Sequence, residues 1–216
     1  MRIAIDLNGV LRDTFGKFTQ LYQKHMIDEY QDQFTNETYK LDQSGDTEIE
    51  TITEFKYETN LPINTYNLQN HFKFQNEEEF YSFMYEEFPM QIFGHAGSTE
   101  LSTLNDLNEI YLEYRDKNDF YIISNEIGKS KPASLFFLSK FGCLIERIFF
   151  YSNSTINDMW SEINVLLTSN PELLLNHPED VIVVKYETEY NKNISSNYTI
   201  KKIKDFSQLL KQLNHD

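Results

Sequence analysis

The chain is poor in cysteine, glycine, proline and positive charge, and each shortage narrows what it can be. A single cysteine, Cys143, among 216 residues excludes an intrachain disulfide. Set between Gly142 and Leu144, that thiol reads as a small buried hydrophobe. Seven glycines and five prolines exclude collagen-like and linker-dominated chains. Nineteen Lys and Arg stand against 34 Asp and Glu, a formal net charge of −15. Such a chain is repelled by bare nucleic acid and by anionic membranes, so direct binding to either is not expected. No uninterrupted apolar run approaches the length of a membrane span. Met1 is followed at once by a core-type strand, so no removable leader is expected, and a reducing intracellular compartment fits. His25, His71, His177 and His215 show no metal-ligand spacing.

What is present is enough for a packed globule. Hydrophobic residues make up 40% and aromatics 15%, with 17 Phe and 14 Tyr. The length suits one α/β domain with a modest insertion. Frequent Asn, Ile, Lys and Tyr fit AT-rich coding, as in a virus or a low-GC bacterium.

Residues 2–7 read as a buried strand. Apolar positions at helical spacing over 14–30 predict a helix. Residues 31–60 are polar and acidic, with a turn expected at Ser44-Gly45-Asp46 and a break at Leu61-Pro62. Asn76 followed by Glu77 to Glu79, Phe80, Phe83, Met84 and Phe88 predicts a capped acidic helix with an aromatic face. Beyond residue 98 strands and helices alternate. Strands are expected at 120–123, 148–151, 165–167 and 181–184, and helices at 101–114, 132–141, 157–163, 171–175 and 206–213. This pattern predicts a parallel sheet covered on both faces.

Four points fall at carboxyl ends of expected strands, where α/β proteins build ligand sites: Asp6 with Asn8, Ser124, the Lys129–Lys131 region, and Thr168-Ser169-Asn170. A carboxylate nucleophile, a hydroxyl and a lysine in one cleft suit an aspartyl-phosphate phosphatase. Asp6 would attack phosphorus, while Ser124 and a lysine would hold the phosphoryl oxygens.

Asp6-Leu-Asn8-Gly-Val-Leu-Arg-Asp-Thr14 resembles motif I of the haloacid dehalogenase superfamily. Ile122-Ile-Ser124-Asn125 resembles motif II and Lys131-Pro132 motif III, with Lys129 as a second candidate. Phe93-Gly94-His95-Ala96 is similar to the Pro-Gly-Ala turn of 5'-deoxynucleotidase-like members. The resemblance implies an α/β Rossmannoid core over residues 1–14 and 91–216, with a helical C1-type cap inserted at 15–90. It also implies catalytic Asp6, phosphate binding by Ser124, Asn125 and Lys131, and a magnesium site that includes Asp6.

Two departures cut against activity. The family's second motif I aspartate, its general acid and base, is here Asn8, which cannot donate a proton at neutral pH. The strand carrying motif IV ends in Thr168-Ser169-Asn170, without the carboxylates that hold magnesium. Asp158 and Glu162, before that strand, are the acids that could compensate. Loss of a general acid costs about 10²- to 10⁴-fold in rate, and loss of the metal removes several kcal/mol more of charge stabilisation. The expectation is a catalytically degenerate protein of this fold, without cofactor, acting as a structural or assembly component among protein partners. The setting expected is a phage virion in the host cytoplasm. The alternative is a magnesium-dependent phosphatase acting on nucleoside monophosphates or another small phosphomonoester.

Overall fold

The computed structural model describes residues 1–29, 39–41, 47–49 and 56–213. The turn expected at Ser44-Gly45-Asp46 lies outside the described residues. Strand β1 (Arg2–Asp6) is built from Ile3, Ala4 and Ile5, all fully buried. It forms the middle of a six-stranded parallel sheet with β4 (Asp119–Ser124), β5 (Ile148–Phe150), β6 (Val165–Thr168), β7 (Ile182–Tyr186) and β8 (Tyr198–Ile200). Their spatial order is β5-β4-β1-β6-β7-β8. A strand buried on both faces has no polar side to show, which is why these segments are apolar runs and not alternating patterns.

The two faces nevertheless sort by residue parity. Ile3, Ile5, Phe120, Ile122, Val165, Leu167 and Val184 pack under α3 (Thr103–Tyr114), α4 (Ser130–Lys140) and α7 (Asp205–Leu213). Ala4, Ile123, Leu166 and Val183 face the other way, onto α5 (Ile156–Ser161) and α6 (Pro171–Leu175), which contribute Met159, Trp160, Leu173 and Leu174.

The segment after β1 opens with α1 (Thr14–Tyr22), capped by the Asp13 carboxylate, which accepts from the Gly16 N–H at 2.9 Å. It continues as a π-helical stretch, Gln23–Glu29. A short antiparallel pair, β2 (Tyr39–Leu41) and β3 (Thr47–Ile49), follows. Helix α2 (Glu77–Tyr81) starts where Asn76 accepts from the Glu79 N–H at 2.8 Å, with three glutamates in its first turn. Its aromatic face joins Phe18, Tyr22, Tyr57, Leu68, Phe72, Phe83 and Phe93 in a second apolar core. Ala133 of α4 belongs to the same cluster and ties it to the sheet layer.

The structure refines several of the expected elements. Helix α4 begins at Ser130, two residues before the expected start at Pro132. Pro132 fits inside the first turn because its missing N–H would have had no intrahelical partner there. The edge strand β8 was not expected; its three residues follow an Asn- and Ser-rich stretch. Among the described residues no helix is long and apolar enough to cross a membrane.

Candidate functional site

Strand order reverses at β1, whose neighbours are β4 on one side and β6 on the other. Such a switch point opens a crevice at the carboxyl ends of the strands. Asp6 pairs in register with Ile123, and Ile5 with Leu167, so Asp6, Ser124 and Thr168 arrive at the crevice together. All three are buried, Asp6 with 1% of its surface exposed.

Thr168 Oγ1 donates to Asp6 Oδ2 at 2.7 Å. Burial pushes the Asp6 carboxyl up to about 7, and the charge of Glu126 pushes it the same way. The Thr168 hydrogen bond, the Asn8 N–H and the Arg12 charge pull it back only in part. Burial thus favours the protonated form of Asp6, which weakens it as a nucleophile.

The neighbouring hydroxyl does the matching thing. Ser169 Oγ donates to the Asn8 carbonyl at 3.3 Å and itself accepts from Tyr190 at 2.9 Å. The Asp6 carboxylate and the Asn8 carbonyl are the oxygens this loop could offer a cation. Both face hydroxyl donors from the end of β6. Asn170 is occupied too, capping α6 through the Glu172 N–H at 2.9 Å. Among the described residues no group of three or more His, Cys, Asp or Glu is placed to hold a metal ion. Of the acids before β6, Glu162 pairs with Arg2 at the opposite, amino-terminal edge of the sheet, and Asp158 is exposed. This set offers magnesium, which is usually held through one or two carboxylates, a single carboxylate already engaged by the Thr168 hydroxyl.

Asn8 sits inside a polar network that spans three parts of the fold. Its Nδ2 donates to Ser124 Oγ at 3.3 Å and to Glu126 Oε1 at 2.9 Å. Its Oδ1 accepts from Arg12 Nη2 and Thr14 Oγ1, both at 2.6 Å. Arg12 is fully buried and uses all five N–H groups: Nε to Thr14, Nη1 to Ser134 and to the Phe93 carbonyl, Nη2 to Asn8 and to Glu126. The rings of Phe93 and Phe137 lie 5.0 and 5.4 Å from its guanidinium carbon. Ser134 Oγ completes the set by donating to Glu126 Oε2 at 2.5 Å. Burial lowers the Arg12 pKa and the adjacent Glu126 raises it.

Arg12, Thr14, Glu126 and Ser134 were not singled out from the sequence. The available signal was a charged residue inside the apolar run Val10-Leu11-Arg12, and an acid two residues past the end of β4. Nothing local pairs two positions 114 residues apart.

The other sequence candidates are less enclosed. Lys131 is exposed, and its ammonium sits 5.5 Å from the Phe150 ring on β5, two strands away from β1. Lys129 pairs with Glu86 at 2.5 Å. Asn125 is exposed and lines a cavity of about 180 Å³ beside Asn8 and Glu126. His95 is exposed, with its ring 5.2 Å from that of Phe136.

Aromatic side chains roof the crevice. Phe15, Tyr66 and Tyr190 meet in a trio with ring centroids 5.1 to 5.6 Å apart. Burial raises the pKa of the Tyr66 hydroxyl, and the nearby Asp6 charge raises it further. Burial likewise pushes Tyr190 up to about 12. Gly9, at φ +73°, lies beneath this roof; a Cβ there would collide with the hydroxyls of Tyr190 and Ser169.

No family model matches the chain. No curated protein matches it. Among solved structures, the crystal structure of a haloacid dehalogenase-like hydrolase from Burkholderia xenovorans LB400 is similar, with a TM-score of 0.58 at 11% identity. The match covers 98% of this chain and 96% of that one. At that identity the likeness is one of fold: the chain has a haloacid dehalogenase-like, Rossmannoid α/β fold.

Proposed function

We propose that this chain is a catalytically silent protein of haloacid dehalogenase-like fold that works through its surface, as a structural or assembly component among protein partners. One observation carries the reading. The hydroxyls of Thr168 and Ser169 donate to Asp6 and to the Asn8 carbonyl, where a phosphoryl-transfer site of this kind would need a cation. Three further points support it. Burial favours the protonated form of Asp6, every Asn8 amide group is engaged by the chain itself, and Arg12 has no N–H left for a substrate.

The composition, rich in Asn, Ile, Lys and Tyr, extends the proposal to a bacteriophage virion as the setting. Exposed Met90 and Phe136, both packed near Gly94, together with the neighbouring Leu135, provide apolar surface for a partner. Purified protein incubated with p-nitrophenyl phosphate and deoxynucleoside monophosphates in the presence of Mg²⁺ should release phosphate at the background rate. Metal-stimulated turnover would overturn the proposal.

The second reading, a magnesium-dependent phosphatase on nucleoside monophosphates, draws on the retention of Asp6 at the switch point. It also draws on the 180 Å³ cavity between the crevice and the inserted segment. It requires that Asp6→Asn abolish turnover present in the wild type.

A further inference from the structure

We infer that Asn8, Arg12 and Ser134 form a carboxylate-binding site, and that the chain's own Glu126 fills it as a tethered ligand. Both Glu126 oxygens are taken. Oε1 accepts from Asn8 Nδ2 and from Arg12 Nη2, and Oε2 from Ser134 Oγ. Asn8 and Arg12 come from the loop after β1, and Ser134 from the second turn of α4, the helix that follows the Glu126 segment. Arg12 also has anchors other than Glu126: its other four N–H groups bond Thr14, Asn8, Ser134 and the Phe93 carbonyl, between the rings of Phe93 and Phe137.

Glu126 is supplied differently. It is 2% exposed, yet Asn125, Ile127, Gly128 and Lys129 around it are exposed, and Gly128 turns the chain at φ +50°. A surface segment thus dips one carboxylate into a buried receptor. The 180 Å³ cavity is lined in part by Asn8, Asn125 and Glu126 and gives a small acid a way in. A buried guanidinium without its anion is strongly disfavoured, so removing Glu126 creates demand for a replacement. In the wild type the tethered acid competes at an effective concentration in about the millimolar range or above, and free acids are held off. None of this depends on whether Asp6 can act as a nucleophile.

The test is thermal unfolding of Glu126→Ala with sodium formate against sodium chloride at equal ionic strength. Formate is expected to raise the melting temperature of E126A by several degrees over chloride. It should leave the wild type and the double variant R12M/E126A unmoved. An equal response to both salts, or no response from folded E126A, would overturn the inference. If E126A does not fold in dilute buffer, refolding is compared in the two salts. Recovery in formate alone supports the site; recovery in both or in neither contradicts it.

Discussion

Thr168 Oγ1 lies 2.7 Å from Asp6 Oδ2 and donates to it, so a side chain from β6 occupies the carboxylate that β1 delivers to the crevice. Thr168 ends the strand that the motif resemblance matches to motif IV, and it brings a hydroxyl donor to Asp6. A donor in place of an acceptor changes what Asp6 can do without changing where it sits.

The first consequence is a pH dependence of stability. Asp6 is raised from 3.8 to about 7 in the folded chain. Below about pH 4 the group is neutral in both states, and its contribution is fully present. As pH rises towards 7 the unfolded chain ionises and the folded chain does not, so stability falls, by about 4 kcal/mol in total. Above 7 the loss from this group is complete. Urea denaturation of wild type and Asp6→Asn at pH 4.5 and pH 8 checks it, since the pH-dependent difference between the two proteins isolates Asp6. D6N is expected to gain on the wild type as pH rises, and a difference independent of pH would contradict the assignment.

The Arg12–Glu126 pair should behave as a buried unit. Replacing either partner alone, as R12M or E126Q, is expected to cost about 3–5 kcal/mol because the other is left buried and uncompensated. The double variant R12M/E126Q should cost less than the sum of the singles. A double-mutant cycle by chemical denaturation gives the coupling, and additivity would mean that the two side chains do not meet.

Gly9→Ala is expected to destabilise by about 1–3 kcal/mol, since φ +73° and the Ser169 and Tyr190 hydroxyls both oppose a Cβ. Lys131→Ala, at an exposed position, should stay within about 0.5 kcal/mol of the wild type. Calorimetric titration with inorganic phosphate should show the same absence of binding in K131A as in the wild type.

Much of the fold was legible because burial on both faces of a sheet leaves a plain mark. Ile3-Ala4-Ile5 and Val165-Leu166-Leu167 could hardly be anything but central strands. The convergence of Asp6, Ser124 and Thr168 followed from their places at strand ends. Helical spacing marked the apolar faces at 14–30 and 76–89. It could not show that the ladder there shifts to i→i+5, since the same side chains face inward either way. Strand β8 escaped because it is three residues long at a sheet edge, with only Ile200 buried, too short to carry a pattern. The Asn8–Arg12–Glu126 network escaped for a different reason. Its members are chosen by tertiary geometry, and a buried arginine reads locally like a solvated one.

The central claim is that the crevice at Asp6 no longer transfers phosphoryl groups. The most direct measurement is the hydrolysis of p-nitrophenyl phosphate by wild type and Asp6→Asn with and without Mg²⁺. Four indistinguishable rates are expected, all at background. Turnover by the wild type that rises with Mg²⁺ and vanishes in D6N would contradict it.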